Sequence, residues 1–181
     1  MKPLKAYDIQ FVGLKLGKHI YDYKINQTFF EYFEFDEFNT INVNLNIRLE
    51  KKTTLLELNF SGNGSVNINC DVSNEPYDQL INFNFNLVVK FGQEYNNEND
   101  SILIIPHGSY KINIAQYIYE LIVLSIPQKR IHPGVEDGTL NSEILRKLED
   151  LSPNADLKGG SSSNDVDPRW NKLKKLLTDK E

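Results

Sequence analysis

The sequence predicts an α+β fold: an antiparallel β-meander or partial barrel covered by one or two helices, with a flexible C-terminal tail that ends in a short helix. Three observations predict it. First, Ile81, Phe83, Phe85, Leu87, Val89 and Phe91 alternate with Asn82, Asn84, Asn86 and Lys90, and a period of two puts the apolar side chains on one face of a strand. Val66, Ile68 and Cys70 begin the same pattern before the turn at Asn74-Glu75-Pro76, so residues 66–91 read as a hairpin with one dry and one wet face. Second, Ile41, Val43, Leu45, Ile47 and Leu49 alternate with Asn42, Asn44, Asn46 and Arg48. Third, the period changes late in the chain: Ile114, Ala115, Ile118, Leu121, Ile122 and Ser125 form one stripe at helical spacing, which gives a helix able to cover the dry face.

Taken in order, Ile9, Phe11 and Leu14 to Leu16 suggest a strand, and His19, Tyr21, Tyr23 and Ile25 suggest a second, joined to it at Gly17. Phe29, Phe30, Tyr32, Phe33, Phe35 and Phe38 follow, interleaved with Glu31, Glu34, Asp36 and Glu37. That segment reads as an aromatic-faced helix or loop capping the sheet rather than a base-stacking platform, because its carboxylates repel phosphates. After the strand 41–49, Lys51-Lys52 fits a turn, and Leu56, Leu58 and Phe60 make a return strand. Ser61-Gly62-Asn63-Gly64-Ser65 reads as a tight turn, since glycine supplies positive φ without steric cost. Residues 94–100, EYNNEND, read as an exposed loop, and Ser101 to Ile105 as a last short strand.

Asn113 can cap the helix that starts at Ile114, and Pro127 stops it. Ser142 can cap a second helix, Glu143 to Leu151, with Ile144, Leu145, Leu148 and Leu151 on one side. Residues 152–166, SPNADLKGGSSSNDV, have too little apolar surface to offset ordering entropy and read as a flexible linker. Asp167 and Pro168 are a favourable N-cap and first helical residue, and Trp170, Leu173 and Leu177 then share one face. The organisation predicted is a domain at 1–151, a linker at 152–166 and a docking helix at 167–181.

The 181 residues carry a formal net charge of -5 and one cysteine. One cysteine forms no internal disulfide, which fits a reducing compartment. The N-terminus has no apolar signal-peptide run, and no stretch approaches a membrane span, so the expectation is a soluble cytoplasmic protein. An acidic total argues against wholesale nucleic-acid binding. Three local basic clusters stand against it: Lys2, Lys5, Lys15, Lys18 and Lys24; Lys129, Arg130 and His132; and Arg169, Lys172, Lys174, Lys175 and Lys180. The ordinary reading of each is a solvated face.

No phosphate loop, dinucleotide fingerprint, nucleophile elbow or HExxH motif is present. His19, His107 and His132 are scattered with no i,i+4 pair, and Cys70 reads as a buried strand cysteine. No catalytic residue, metal ligand, cofactor, membrane contact or small-molecule substrate is assigned.

Four motifs carry a family resemblance. GLKLGKHIYDYKINQTFF (13–30), INCDVSNEPYD (68–78), INIAQYIYELIVLSIPQKRIHPG (112–134) and DPRWNKLKKL (167–176) occur in an order and spacing that resemble the YceD family of large-subunit ribosomal RNA accumulation proteins, in the form found in Bacteroidetes-like bacteria. The resemblance implies a non-enzymatic factor for ribosomal RNA accumulation or ribosome assembly, with large-subunit ribosomal RNA, ribosomal proteins or both as partners. Family members often carry Cys-x-x-Cys in the hairpin, where this chain has Cys70 and Ser73, and some carry a later cysteine that 134–145 lacks. One thiolate does not hold a structural zinc. The candidate RNA- or partner-binding residues are Lys129, Arg130 and His132 in the loop, and Arg169, Trp170, Lys172, Leu173, Lys174, Lys175 and Leu177 in the tail. The rival expectation is an adaptor whose C-terminal helix docks on a protein without touching RNA. Within the tail, the apolar stripe meets either a partner's groove or its own chain.

Overall fold

A computed structural model of the chain describes residues 4–140 and 143–151. In chain order the elements are β1 (Asp8–Gln10), β2 (Gly17–Ile25), α1 (Gln27–Glu31), β3 (Thr40–Lys51), β4 (Leu55–Asn69), β5 (Pro76–Gly92), β6 (Asn96–Asn99), β7 (Ile102–Pro106), β8 (Lys111–Asn113), α2 (Ala115–Leu124), α3 (Pro133–Glu136) and α4 (Glu143–Leu151). The chain divides into two units, Met1–Leu140 and Asn141–Glu181. α4 is the described part of the second.

In the first unit, β2-β3-β4-β5-β7-β6 form one open, six-stranded sheet, and β1 pairs with β8 in a separate ribbon. β2 to β5 are the predicted antiparallel meander. The alternating residues set the register. Ile47 lies opposite Phe60, and Phe60 opposite Phe85, so one dry row crosses three strands. Val43, Ile47, Leu49, Phe60, Val66, Ile68, Leu87 and Val89 are fully buried on that face. Removing such side chains from water contributes about 1.5–3 kcal/mol each.

α2 lies on the dry face, as its stripe predicts, with Ala115, Ile118 and Ile122 buried. The Phe60 ring contacts both Phe85 and Tyr117, which ties helix to sheet. Asn113 Oδ1 accepts the Ala115 N–H at 3.1 Å, so it does serve the helix start, with Ile114 between. The aromatic segment is a lid: Phe29, Phe30 and Phe38 are buried, and Phe33 stacks on Tyr119 of α2 at 4.4 Å.

Four local readings change. β4 runs unbroken through Ser61 to Ser65, where a turn was expected. Its glycines serve close approach instead. A Cβ on Gly62 would enter the Phe83 ring, and one on Gly64 would meet the backbone of Asn42 and Val43. Glycine marks crowding in a strand as readily as a turn. The segment before Gly17 does not pair with β2, because β1 is drawn to β8; Gly17, at φ +120, only redirects the chain. β7 runs parallel to β5, so the sheet is mixed rather than wholly antiparallel. Part of the 94–100 segment pairs with β7 as β6 while staying largely exposed.

α4 has the predicted bounds, with Leu148 and Leu151 exposed at 46% and 81%. Ser142, the linker at 152–166 and the predicted C-terminal helix at 167–181 lie outside the described residues.

Candidate functional site

The loop after α2 brings the three predicted loop residues against the turn between β4 and β5. The Ser125 N–H and hydroxyl both bond back to α2, the hydroxyl donating to the Ile122 carbonyl at 2.7 Å, and Pro127 prevents further winding. The chain then returns across the 70–76 turn, where Asn74 adopts φ 57, a conformation asparagine tolerates. Asp71 fixes the loop in both directions. Its N–H donates to the Arg130 carbonyl at 2.8 Å, and its Oδ2 accepts the Arg130 N–H at 2.8 Å.

Arg130 is also ion-paired. Its Nη2 donates to Glu37 Oε2 at 2.8 Å, joining the loop to the aromatic lid. The pair is partly solvated, with the side chains 31% and 52% exposed, and such pairs contribute only about 0–1 kcal/mol. A phosphate that offers Arg130 a stronger, bidentate acceptor can therefore replace Glu37 at little cost. Lys129 is exposed beside it.

His132 has a positioning role. Its Nδ1 accepts the Gly134 N–H at 2.8 Å, which starts α3, and its ring meets Tyr77 edge-on at 5.5 Å. Its own N–H donates to Cys70 Sγ at 3.2 Å. Burial pushes the Cys70 thiol up, but the N–H of His132 and the groups of Ser73 and Val72 around the sulfur outweigh it and bring the pKa down to about 7. A thiolate at this site is thus stabilised by backbone dipoles. The residues do not fit a structural zinc: Ser73 supplies no thiolate, and among the described residues no group of three or more His, Cys, Asp or Glu can hold a metal.

Two other regions bear on function. The wet face of the sheet carries rows of amides: Asn44, Asn63 and Asn82 lie side by side across β3, β4 and β5, as do Asn59 and Asn86. Asn46 donates to Asp22 at 2.7 Å and Asn67 to Asp78 at 2.8 Å, so part of this array is internally satisfied. A hollow of about 470 Å³ beside α2 is lined by Phe85, Tyr95, Asp100, Tyr117 and Glu120 among others. Burial, with Tyr95 and Glu120 nearby, pushes Tyr117 up to about 12, the wrong direction for proton transfer near neutral pH.

Of the predicted site residues, the structure brings Arg130 and His132 together on the Cys70 turn and leaves Lys129 at the rim. The other seven, Arg169, Trp170, Lys172, Leu173, Lys174, Lys175 and Leu177, lie outside the described residues. Sequence reasoning missed Asp71 and Glu37, which reach Arg130 across 59 and 93 positions. No local pattern marks pairs so distant.

A family model described as "Large ribosomal RNA subunit accumulation protein YceD" matches residues 58–177, well over half of the chain. It spans β4 to α4 and continues into the tail motif DPRWNKLKKL; the first of the four motifs, 13–30, precedes it. No curated protein and no solved structure matches the chain.

Proposed function

The chain belongs to the YceD family of large ribosomal RNA subunit accumulation proteins, and on that premise we propose that it is a non-enzymatic, cytoplasmic factor that supports accumulation of large-subunit ribosomal RNA by binding that RNA, a ribosomal protein, or both. The observation that carries the reading is the family match over residues 58–177. The chemistry of these side chains agrees with a binding role. Cys70 is buried and held by N–H donors, Arg130 sits in a solvated pair it can exchange for phosphate, and Tyr117 titrates far above neutral pH.

Phosphate contact is assigned to Lys129 and Arg130 in the loop, and to Arg169, Lys172, Lys174 and Lys175 in the tail. His132 holds the loop in place. Trp170, Leu173 and Leu177 fix the tail to a protein surface. A second reading, an adaptor that touches protein alone, is favoured by the net charge of -5 and by Glu37 facing Arg130. Ultraviolet crosslinking of the protein in cells, followed by sequencing of attached RNA, separates the two. Enriched large-subunit sequences are expected. Crosslinks confined to ribosomal proteins would establish the adaptor instead.

No helix among the described residues is long and apolar enough to cross a membrane.

A further inference from the structure

A second hollow, of about 910 Å³, lies between the helical turn Lys5–Tyr7 and α1. Lys24 near the end of β2, Asn26, Phe29 and Tyr32 line it together with Lys5 and Tyr7. Its size falls in the range of ligand sites, about 300–1,000 Å³. The turn is held in place from behind. The Leu4 carbonyl accepts Asn113 Nδ2 at 3.1 Å, and the Tyr7 carbonyl accepts the Ile114 N–H at 3.0 Å. The Tyr7 ring stacks on Tyr23 at 5.3 Å and meets Phe29 edge-on at 5.0 Å. These walls are thus formed before a ligand arrives, which lowers the ordering cost of binding.

The side chains that face this hollow are not committed to the fold. Lys5 and Lys24 are exposed, and neither makes a hydrogen bond or ion pair among the described residues. No carboxylate lines the hollow. Asp8 is taken by Lys111 and Asn113, each at 2.7 Å, and Glu37 by Arg130. Tyr32 is 51% exposed, and its ring packs on no other aromatic among the described residues. Asn26 stands at the N-cap of α1, where asparagine ordinarily caps, yet its side chain makes no capping bond. Burial, with Tyr32 nearby, raises the Tyr7 hydroxyl above its ordinary value, so it stays a donor at neutral pH.

We propose that this hollow is a nucleotide site: the base stacks on Tyr32 and meets the Asn26 amide at its edge, and the phosphate is held by Lys5 and Lys24. A π face, a paired donor and acceptor, and two ammonium groups together match a nucleotide. A simple anion would use only the lysines, and an apolar ligand only the rings. The nucleotide is either free or one unit of a single-stranded RNA, since both offer the same base and phosphate. The site precedes residues 58–177, which carry the family match, and shares no residue with the loop at Lys129–His132. It therefore stands or falls apart from the RNA contacts assigned there.

The test is a titration of the isotope-labelled full chain, followed by amide chemical shifts, with AMP, adenosine, ribose 5-phosphate and a single-stranded adenosine hexamer. AMP should move the amides of Lys5, Tyr7, Asn26 and Tyr32. It should bind at least about 5-fold more tightly than adenosine, which lacks the phosphate, or ribose 5-phosphate, which lacks the base. Tyr32→Ala should lose about 5-fold or more, and Tyr32→Phe should retain the wild-type affinity. Lys5→Gln with Lys24→Gln should bring AMP down to the affinity of adenosine. The substituted side chains are exposed, and the remaining amide shifts report that each variant is folded. Tighter binding of the hexamer at the same amides assigns the site to single-stranded RNA, and equal or tighter binding of AMP assigns it to a free nucleotide. Either upholds the inference. Amides that neither AMP nor the hexamer moves would overturn it, as would binding that persists unchanged in Tyr32→Ala or in the lysine variant.

Discussion

The backbone N–H of His132 donates to the sulfur of Cys70 at 3.2 Å, and this contact joins the loop after α2 to the turn between β4 and β5. It gives Cys70 a structural reason to exist without metal or catalysis. Cys70→Ala should therefore leave ribosome association intact while lowering stability modestly. The thiol's pKa is about 7 in the folded chain against an ordinary 9.0. A depressed folded pKa contributes stability that is fully present above the unfolded value and lost as pH falls through the folded one. Wild type should thus gain over Cys70→Ala between pH 7 and 9, read as the difference in urea midpoint. An equal difference at pH 6 and pH 9 would show that the thiolate is not favoured by folding. Stoichiometric zinc that disappears in Cys70→Ala would remove the structural account altogether.

Phe60 and Phe85 face each other across β4 and β5 with ring centroids 6.1 Å apart, but their burial differs. Alternation alone gives Phe85→Ala on a central strand the full cost of a core aromatic, about 3–5 kcal/mol. Phe85 is only half-buried, because it lies toward the hollow beside α2, whereas Phe60 is fully buried. The full cost is accordingly expected at Phe60→Ala, with Phe85→Ala at about half of it. Chemical denaturation of the two variants decides this. Equal costs would mean that the α2 side of the sheet is closed more tightly than its geometry indicates.

Gly62 and Gly64 test whether residues 61–65 are strand or turn. At Gly64 a methyl group would meet the backbone of Asn42 and Val43, which cannot move aside; at Gly62 it would meet the Phe83 ring, which can rotate. Gly64→Ala should cost roughly 2–3 kcal/mol or more, and Gly62→Ala less. In a surface turn with ordinary φ, alanine would be neutral or mildly stabilising. A Gly64→Ala variant as stable as wild type would show that position 64 has room for a methyl group and would overturn the close approach of β4 to the Asn42 and Val43 backbone.

The same glycines show how far the sequence is legible. The strands of the meander, the α2 stripe, the aromatic lid and the bounds of α4 follow from period and punctuation, which are local. Residues 61–65 misled because glycine signals two opposite things, and only the Phe83 and Asn42 neighbours decide between them. The parallel β5–β7 pairing and the β1–β8 ribbon join segments whose partnership no local pattern fixes. At the loop, the basic residues were visible, but Glu37 and Asp71 were not, so the charge that Arg130 presents was legible only in part.

The basic residues of the loop and tail can be separated by salt. If Lys172, Lys174 and Lys175 touch phosphates, changing all three to Gln should reduce the slope of log K against log salt by roughly 2–3 for binding to large-subunit RNA. Arg130→Gln should change it by no more than about 1, since Glu37 already neutralises that side chain in the free protein. Trp170→Ala removes an apolar anchor, so its cost, about 2 kcal/mol of association, should hardly depend on salt. Deleting the residues after Val166 should combine both effects and lower ribosome association, while leaving the unfolding midpoint of the first unit unchanged. A slope that stays the same in the triple Gln variant would remove the tail's phosphate contacts and leave a protein-docking role. A large loss of stability in the first unit on deletion, with ribosome association intact, would make the tail part of that unit's fold.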